Sequence, residues 1–234
     1  MNIISQSILG LLGYHRLSDE DIDRVSLSKK LVIVISHTSY WDFFLLALYR
    51  QTDQRIKENL YLAVNPKPFK KWGWLLKPMG CISTTKAEET GNGFVHKMIT
   101  RFKNKRCRFI MSPEGQLKAV PWRSGYYYLA RGLEADFIVG GVDYERKNLH
   151  IGPLREWKDW KDLNKNQVEK ILQKDMGDIV PLNLEGSHTP VTRVYNINKV
   201  SAYDPWHVIL IIILIILIIL IILAIFYWTN DGKK

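Results

Sequence analysis

The sequence is poor in cysteine, short of acids against its bases, and without signs of secretion. Its two cysteines, Cys81 and Cys107, lie far apart and make no Cys-x-x-Cys or other metal spacing. That excludes a disulfide scaffold and a zinc module, and two buried thiols in a reducing compartment are expected. The six histidines add no ligand pattern, so no metal is expected. No Asn-x-Ser/Thr sequon occurs, as expected of a domain that stays out of a secretory lumen. Residues 1–12 lack a basic start and a small-residue cleavage site, so they do not read as a secretory signal. The run Ile8, Leu9, Leu11, Leu12 is expected to form a core helix rather than to lie on a membrane surface. There is no Gly-x-Ser-x-Gly elbow, which counts against a serine lipase.

Acids are the minority: 23 Asp and Glu stand against 33 Lys and Arg, a net charge of +10. Such an excess favours an anionic partner, whether phosphate groups, an anionic membrane face or nucleic acid. Hydrophobic residues make up 47% and aromatics 12%, with eight Trp, a composition that folds.

The longest hydrophobic run is Val208 to Tyr227, twenty residues without a charge. As a helix it would span roughly 30 Å, the hydrocarbon thickness of a bilayer. Trp206 precedes it, and Tyr227 and Trp228 close it like an aromatic belt. The nearby cations, Arg193 and Lys199 before and Lys233 and Lys234 after, do not set an orientation. The basic, cysteine-poor character of the rest is what predicts a cytosolic domain held by a single-pass C-terminal anchor. The expected organisation is one α/β domain over residues 1–180, a peripheral segment and linker over 181–205, a transmembrane helix over 206–228 and a short tail over 229–234.

Within the domain, apolar β-branched runs alternate with helical patterns. Strands are predicted at Leu31–Ser36, Leu60–Val64, Gly80–Ser83, Cys107–Met111 and Phe137–Val142, the last with a bend or close approach at Gly140 and Gly141. Helices are predicted at Trp41–Arg50, Phe94–Lys105, Ser124–Leu133 and Asn164–Asp175. The alternation predicts a mainly parallel sheet flanked by helices, with ligands at the carboxyl ends of the strands.

Two motifs lie at such ends. In His37-Thr38-Ser39-Tyr40-Trp41-Asp42 a regular helix would set His37 and Asp42 about 140° apart. They meet only if His37 precedes the helix and Asp42 lies in its first turn. Ser39 is a good N-cap, and Asp42 stands three residues later in a capping-box position. A carboxylate on one imidazole nitrogen would leave the other to take a proton from an alcohol. The plainer alternatives are a capping Asp and a strand-end His. In Ser112-Pro113-Glu114-Gly115 a strand ends in a rigid Pro, a carboxylate and a Gly that admits close backbone approach, or simply in a turn. Between these motifs, Lys86 follows a short strand, either suited to a substrate phosphate or merely solvated. The basic aromatic stretch Lys67, Phe69, Lys70, Lys71, Trp72, Trp74, Lys77 reads equally as a membrane-facing surface or as a solvated helix with a packed face.

In this order the motifs resemble the glycerol-phosphate and lysophosphatidic acid acyltransferase family, over residues 10–155 or so. The His-x-x-x-x-Asp motif is His37 to Asp42, with Ser36 where the family usually has Asn. Gly-x-Ile-x-x-x-Arg appears as Gly80 to Lys86, with Lys for Arg, which keeps the charge and loses the fork. Pro-Glu-Gly-Thr-Arg appears as Pro113 to Leu117, without the Thr and Arg. Trp122-Arg123-Ser124-Gly125-Tyr126-Tyr127-Tyr128-Leu129-Ala130, continuing to Val142-Asp143-Tyr144, resembles a small-protein branch; the family's Val-Pro-Ile is Ala135-Asp136-Phe137 here.

The resemblance implies direct acyl transfer from acyl-CoA or acyl carrier protein, without a cofactor, to a hydroxyl of a lysophospholipid or glycerol phosphate. It implies His37 as general base with Asp42, oxyanion donors near Gly115, Glu114 positioning the acceptor, and Lys86 with Lys118 or Arg123 holding its phosphate. Membrane lipids are the expected partners and nucleic acid is not. The competing expectations are a hydrolase using the same dyad and a non-catalytic lipid-binding relative.

Overall fold

Burial of β-branched strands at the centre of one sheet organises the chain. In the computed structural model the described residues are 3–36, 39–84, 93–115, 120–177 and 179, all within the unit Met1–Val194. Their strands are β1 (Lys30–Ile35), β2 (Leu60–Val64), β3 (Cys81–Ser83), β4 (Cys107–Met111), β5 (Asp136–Asp143) and β6 (Asn148–Ile151). They form a six-stranded sheet in the order β3-β2-β4-β1-β5-β6. The first five are parallel, and β6 turns back antiparallel to β5.

The helices are α1 (Ile3–Leu11), α2 (Asp19–Leu27), α3 (Tyr40–Thr52), α4 (Gln54–Lys57), α5 (Pro66–Leu76), α6 (Phe94–Phe102), α7 (Gly125–Leu133), α8 (Trp157–Trp160) and α9 (Lys165–Asp175). Val32, Val34, Phe109, Phe137 and Val139 form a core with Met98 and Phe102 of α6, Leu129 and Leu133 of α7, and Val168 and Leu172 of α9. The alternate residues Leu31, Ile33 and Ile35 are also buried. Strand period two therefore places apolar side chains on both faces, as a covered parallel sheet requires. Each fully buried aliphatic side chain contributes about 1.5–3 kcal/mol.

The predicted strands at 60–64 and 107–111 match in full, and the others differ by a single residue at one or both ends. Gly140 and Gly141 lie within the continuous strand β5. The close approach is present, because a Cβ at Gly140 would lie 3.2 Å from the His150 carbonyl oxygen. The N-terminal run forms α1, which buries Leu9 while Ile3, Ile4 and Leu11 remain exposed, so the core expectation holds for one side only. Both cysteines are free and buried. Among the described residues no helix is long and apolar enough to cross a membrane; the predicted segment Val208–Tyr227 lies outside them.

Two consequences for stability follow. Gly80 has φ +79°, and a Cβ there would stand 2.5 Å from the Arg50 guanidinium. Arg50 is itself buried and donates to the carbonyls of Leu60 (3.1 Å) and Lys57 (3.2 Å), tying α3 to the start of β2. Gly80→Ala should cost about 2 kcal/mol or more, from a positive φ plus overpacking. A denaturant midpoint equal to wild type would refute that account.

Burial raises the thiols of Cys81 and Cys107 to about 11, from an ordinary value near 9. Below pH 9 folded and unfolded states are both protonated and this stability is complete. Above it the unfolded thiols ionise first, and the stability is lost up to about pH 11, of order 2 kcal/mol per thiol. A Cys81→Ala/Cys107→Ala variant should lose less stability than wild type over that window; parallel curves would contradict the prediction.

Candidate active site

Parallel pairing brings the carboxyl ends of β1, β4 and β5 to one edge. Val34 pairs with Met111, and Ile35 pairs with Gly140. Beyond β1 the chain enters α3 through the N-cap Ser39, whose Oγ accepts from the Trp41 N–H at 3.1 Å. Asp42, at the third helical position, closes the capping box: its Oδ2 accepts from the Ser39 N–H at 2.8 Å. The predicted cap therefore forms.

The cap is only part of what Asp42 does. β5 runs three residues past the level at which β1 ends, so Tyr144, just beyond β5, reaches the start of α3. Its hydroxyl donates to Asp42 Oδ1 at 2.6 Å. Asp42 is 3% exposed and Tyr144 2%. Burial first, and then the neighbouring carboxylate, push the phenol far above its ordinary range, so Tyr144 stays protonated. Asp42 is thus a buried carboxylate whose two oxygens are each fixed by a donor. A carboxylate accepts about four hydrogen bonds, so the two donors leave capacity for further bonds.

β4 delivers the second motif. Glu114 is 1% exposed, and its carboxylate accepts from Ser112 Oγ (2.8 Å) and Trp122 Nε1 (3.2 Å). This carboxylate points into the protein and holds its own loop, while the next residue, Gly115, is exposed with φ +64°. The Arg123 N–H donates to the Pro113 carbonyl at 3.0 Å. The Arg123 guanidinium lies 3.5 Å from where a Gly115 Cβ would be. Arg123 is exposed, so a cation stands directly over the glycine of the motif.

The structure thus gathers Asp42, Glu114 and Gly115 on loops and a helix start at one sheet edge. His37, Lys86 and Lys118 lie outside the described residues. Among those described, no cluster of three or more His, Cys, Asp or Glu is placed to hold a metal.

A family model described as Acyltransferase matches residues 16–140, more than half of the sequence and the span that contains the His37–Asp42, Gly80–Lys86 and Pro113–Gly115 motifs. The chain belongs to the acyltransferase family. A crystal structure of the 1-acyl-sn-glycerophosphate (LPA) acyltransferase PlsC from Thermotoga maritima is similar to it with a TM-score of 0.51 and 13% identity, over 73% of this chain and 72% of that one. At that identity the likeness concerns the fold, a mostly parallel sheet flanked by helices. No curated protein sequence matches.

For a member of this acyltransferase family, the residues that sequence reasoning left without a role are Tyr144, Trp122 and Ser112. In the sequence Tyr144 stands only as the end of the Val142-Asp143-Tyr144 stretch, two residues past the predicted strand Phe137–Val142. Its partner lies 102 positions away in the chain.

Proposed function

We propose that this chain moves an acyl group from acyl-CoA or acyl carrier protein to a hydroxyl of a lysophospholipid or glycerol phosphate at a membrane surface. The observation that carries this reading is the buried, doubly held carboxylate of Asp42 at the carboxyl edge of β1. In the sequence only His37 and Thr38 separate Ser36, the residue after β1, from the cap Ser39 of the helix that carries Asp42.

In this mechanism the Asp42 carboxylate orients the imidazole and supports its positive form. The free nitrogen of His37 takes the proton from the acceptor hydroxyl, and the oxygen attacks the thioester carbonyl. The oxyanion is met by backbone N–H groups near Gly115, where the left-handed turn leaves the chain open to solvent. Collapse expels the thiolate, which recovers the proton from His37. Glu114 acts from inside by fixing the Pro113–Gly115 turn against which the acceptor rests. Lys86, Lys118 and the exposed Arg123 supply positive charge for the acceptor phosphate. Lysophosphatidic acid, the acceptor named for the Thermotoga protein, is the first to test.

The membrane part of the proposal rests on Val208–Tyr227 as a single-pass anchor and on α5. Trp72 and Trp74 of α5 are 48% and 73% exposed. Lys67, Lys70 and Lys71 are exposed on the same helix, a composition suited to an anionic lipid face.

The test supplies acyl-labelled acyl-CoA to the full chain in membranes, with and without lysophosphatidic acid. Label appearing in phosphatidic acid only when the acceptor is present supports the proposal. Free fatty acid released at one rate in both arms would instead identify a hydrolase, and no turnover of either kind would leave a lipid-binding protein.

A further inference from the structure

We propose that Tyr144 is a positioning residue of the dyad, setting through its hydrogen bond to Asp42 how strongly that carboxylate polarises His37. The inference rests on the acyltransferase mechanism above and deepens it.

The first support is geometric. At 2.6 Å the bond from Tyr144 to Asp42 Oδ1 has the length of a charge-assisted O–H···O⁻ contact, stronger than a neutral one. With the Ser39 N–H on Oδ2, it pins both oxygens, so the carboxylate does not rotate freely. An imidazole approaching Asp42 meets a base of fixed direction.

The second is the seat of the phenol. Tyr14 packs edge-on against Tyr144, with ring centroids 6.4 Å apart and planes at 87°. The Lys147 ammonium lies 5.4 Å from the Tyr14 ring centroid. The segment following α1 is tied down at both sides: the Tyr49 hydroxyl donates to the His15 carbonyl (2.7 Å), and the His15 N–H to the Lys147 carbonyl (2.7 Å). Tyr144 is therefore held by α3, by the N-terminal segment and by the turn between β5 and β6.

The third is chemical. The groups that act on the phenol are Asp42 and the Ser39 side chain on α3 and its cap and Tyr14 on the N-terminal segment, with Lys147 one ring further out over Tyr14. Asp143, next in the chain, is engaged by Arg146 at 3.1 Å. Burial keeps the phenol protonated, so towards Asp42 it serves only as a donor. A donor on a carboxylate draws off charge and lowers its basicity. Removing the hydroxyl makes Asp42 a stronger base towards imidazole and favours imidazolium, which cannot accept the proton of the acceptor.

The test is a donor-strength series at position 144 in the full-length protein, read as the pH dependence of kcat and as KM for lysophosphatidic acid. Tyr144→Phe keeps the ring and deletes the donor. It should lower kcat about tenfold near neutrality, part of what a general base supplies. KM should hold, and the acid limb of the profile should move to higher pH. Site-specific 3-fluorotyrosine keeps the fold and strengthens the donor, so it should move that limb the other way. A Phe variant that loses only thermal stability, or a fluorotyrosine protein with an unmoved acid limb, would overturn the proposal. Transfer that is abolished by His37→Ala but indifferent to both changes at 144 removes this inference alone. Absence of acceptor-dependent transfer in wild type removes the mechanism on which it rests.

Discussion

Replacing His37 by alanine should lower acyl transfer at least about a hundredfold, the usual lower scale for loss of a general base. The acceptor is an alcohol, and a hydroxyl at neutral pH is a poor nucleophile until a base removes its proton. No covalent acyl-enzyme is proposed, so this one proton transfer carries most of the barrier assigned to a side chain. The loss should appear in kcat, with KM for donor and acceptor little changed, because the imidazole acts in the transition state rather than in uniform binding. The measurement is initial-rate transfer at saturating acyl-CoA and lysophosphatidic acid in a membrane preparation. Equal turnover by wild type and the alanine variant would reject the mechanism.

The second large effect is at Asp42, where catalysis and folding meet. Asp42→Ala removes the acceptor for two donors at once, the half-buried Ser39 N–H and the buried Tyr144 hydroxyl. It also breaks the capping box of α3. Loss of the cap costs about 1 kcal/mol, and stranding the buried Tyr144 hydroxyl about 1–3 kcal/mol, so a destabilisation of about 3 kcal/mol is expected. Turnover should fall together with stability. Asp42→Asn separates the two: it keeps the shape and one acceptor oxygen but turns an N–H₂ towards one of the donors and removes the charge. It should retain most of the stability while losing most of the turnover. Denaturant midpoints and kcat, taken on both variants, check this. A fully active Asn variant would leave Asp42 as a helix cap and nothing more.

Much of this arrangement was written in local patterns. The run Leu31–Ser36 reads as a buried strand because it is short and rich in β-branched residues at consecutive positions, as a strand covered on both faces requires. Ser39 and Asp42 read as a capping box because that motif spans four residues. What could not be read is what long-range pairing decides. Glu114 sits in a three-residue turn signal that does not say which way its carboxylate faces. Its inward direction depends on Trp122, which reaches it only because the chain returns past Pro113 into α7.

Other misses have their own causes. α2 escaped notice because its sequence, DEDIDRVSL, is mostly charged and polar, and only Ile22, Val25 and Ser26 face inward. Its start signals were nonetheless present: the cap Ser18, and acids at 19–21 that complement the helix dipole. β6 is four residues long with one buried, too short for alternation to register. The reason for glycine at position 80 depends on a guanidinium thirty residues earlier, which no local pattern reveals.

The central claim is that His37 and Asp42 work as one unit in transferring the acyl group. A double-mutant cycle tests it most directly: acyl transfer to lysophosphatidic acid is measured for wild type, His37→Ala, Asp42→Asn and the double variant. The account predicts that the double variant is no slower than His37→Ala, because an orienting carboxylate has nothing to act on once the imidazole is gone. Losses that multiply would mean the two residues act independently, and the dyad would be contradicted.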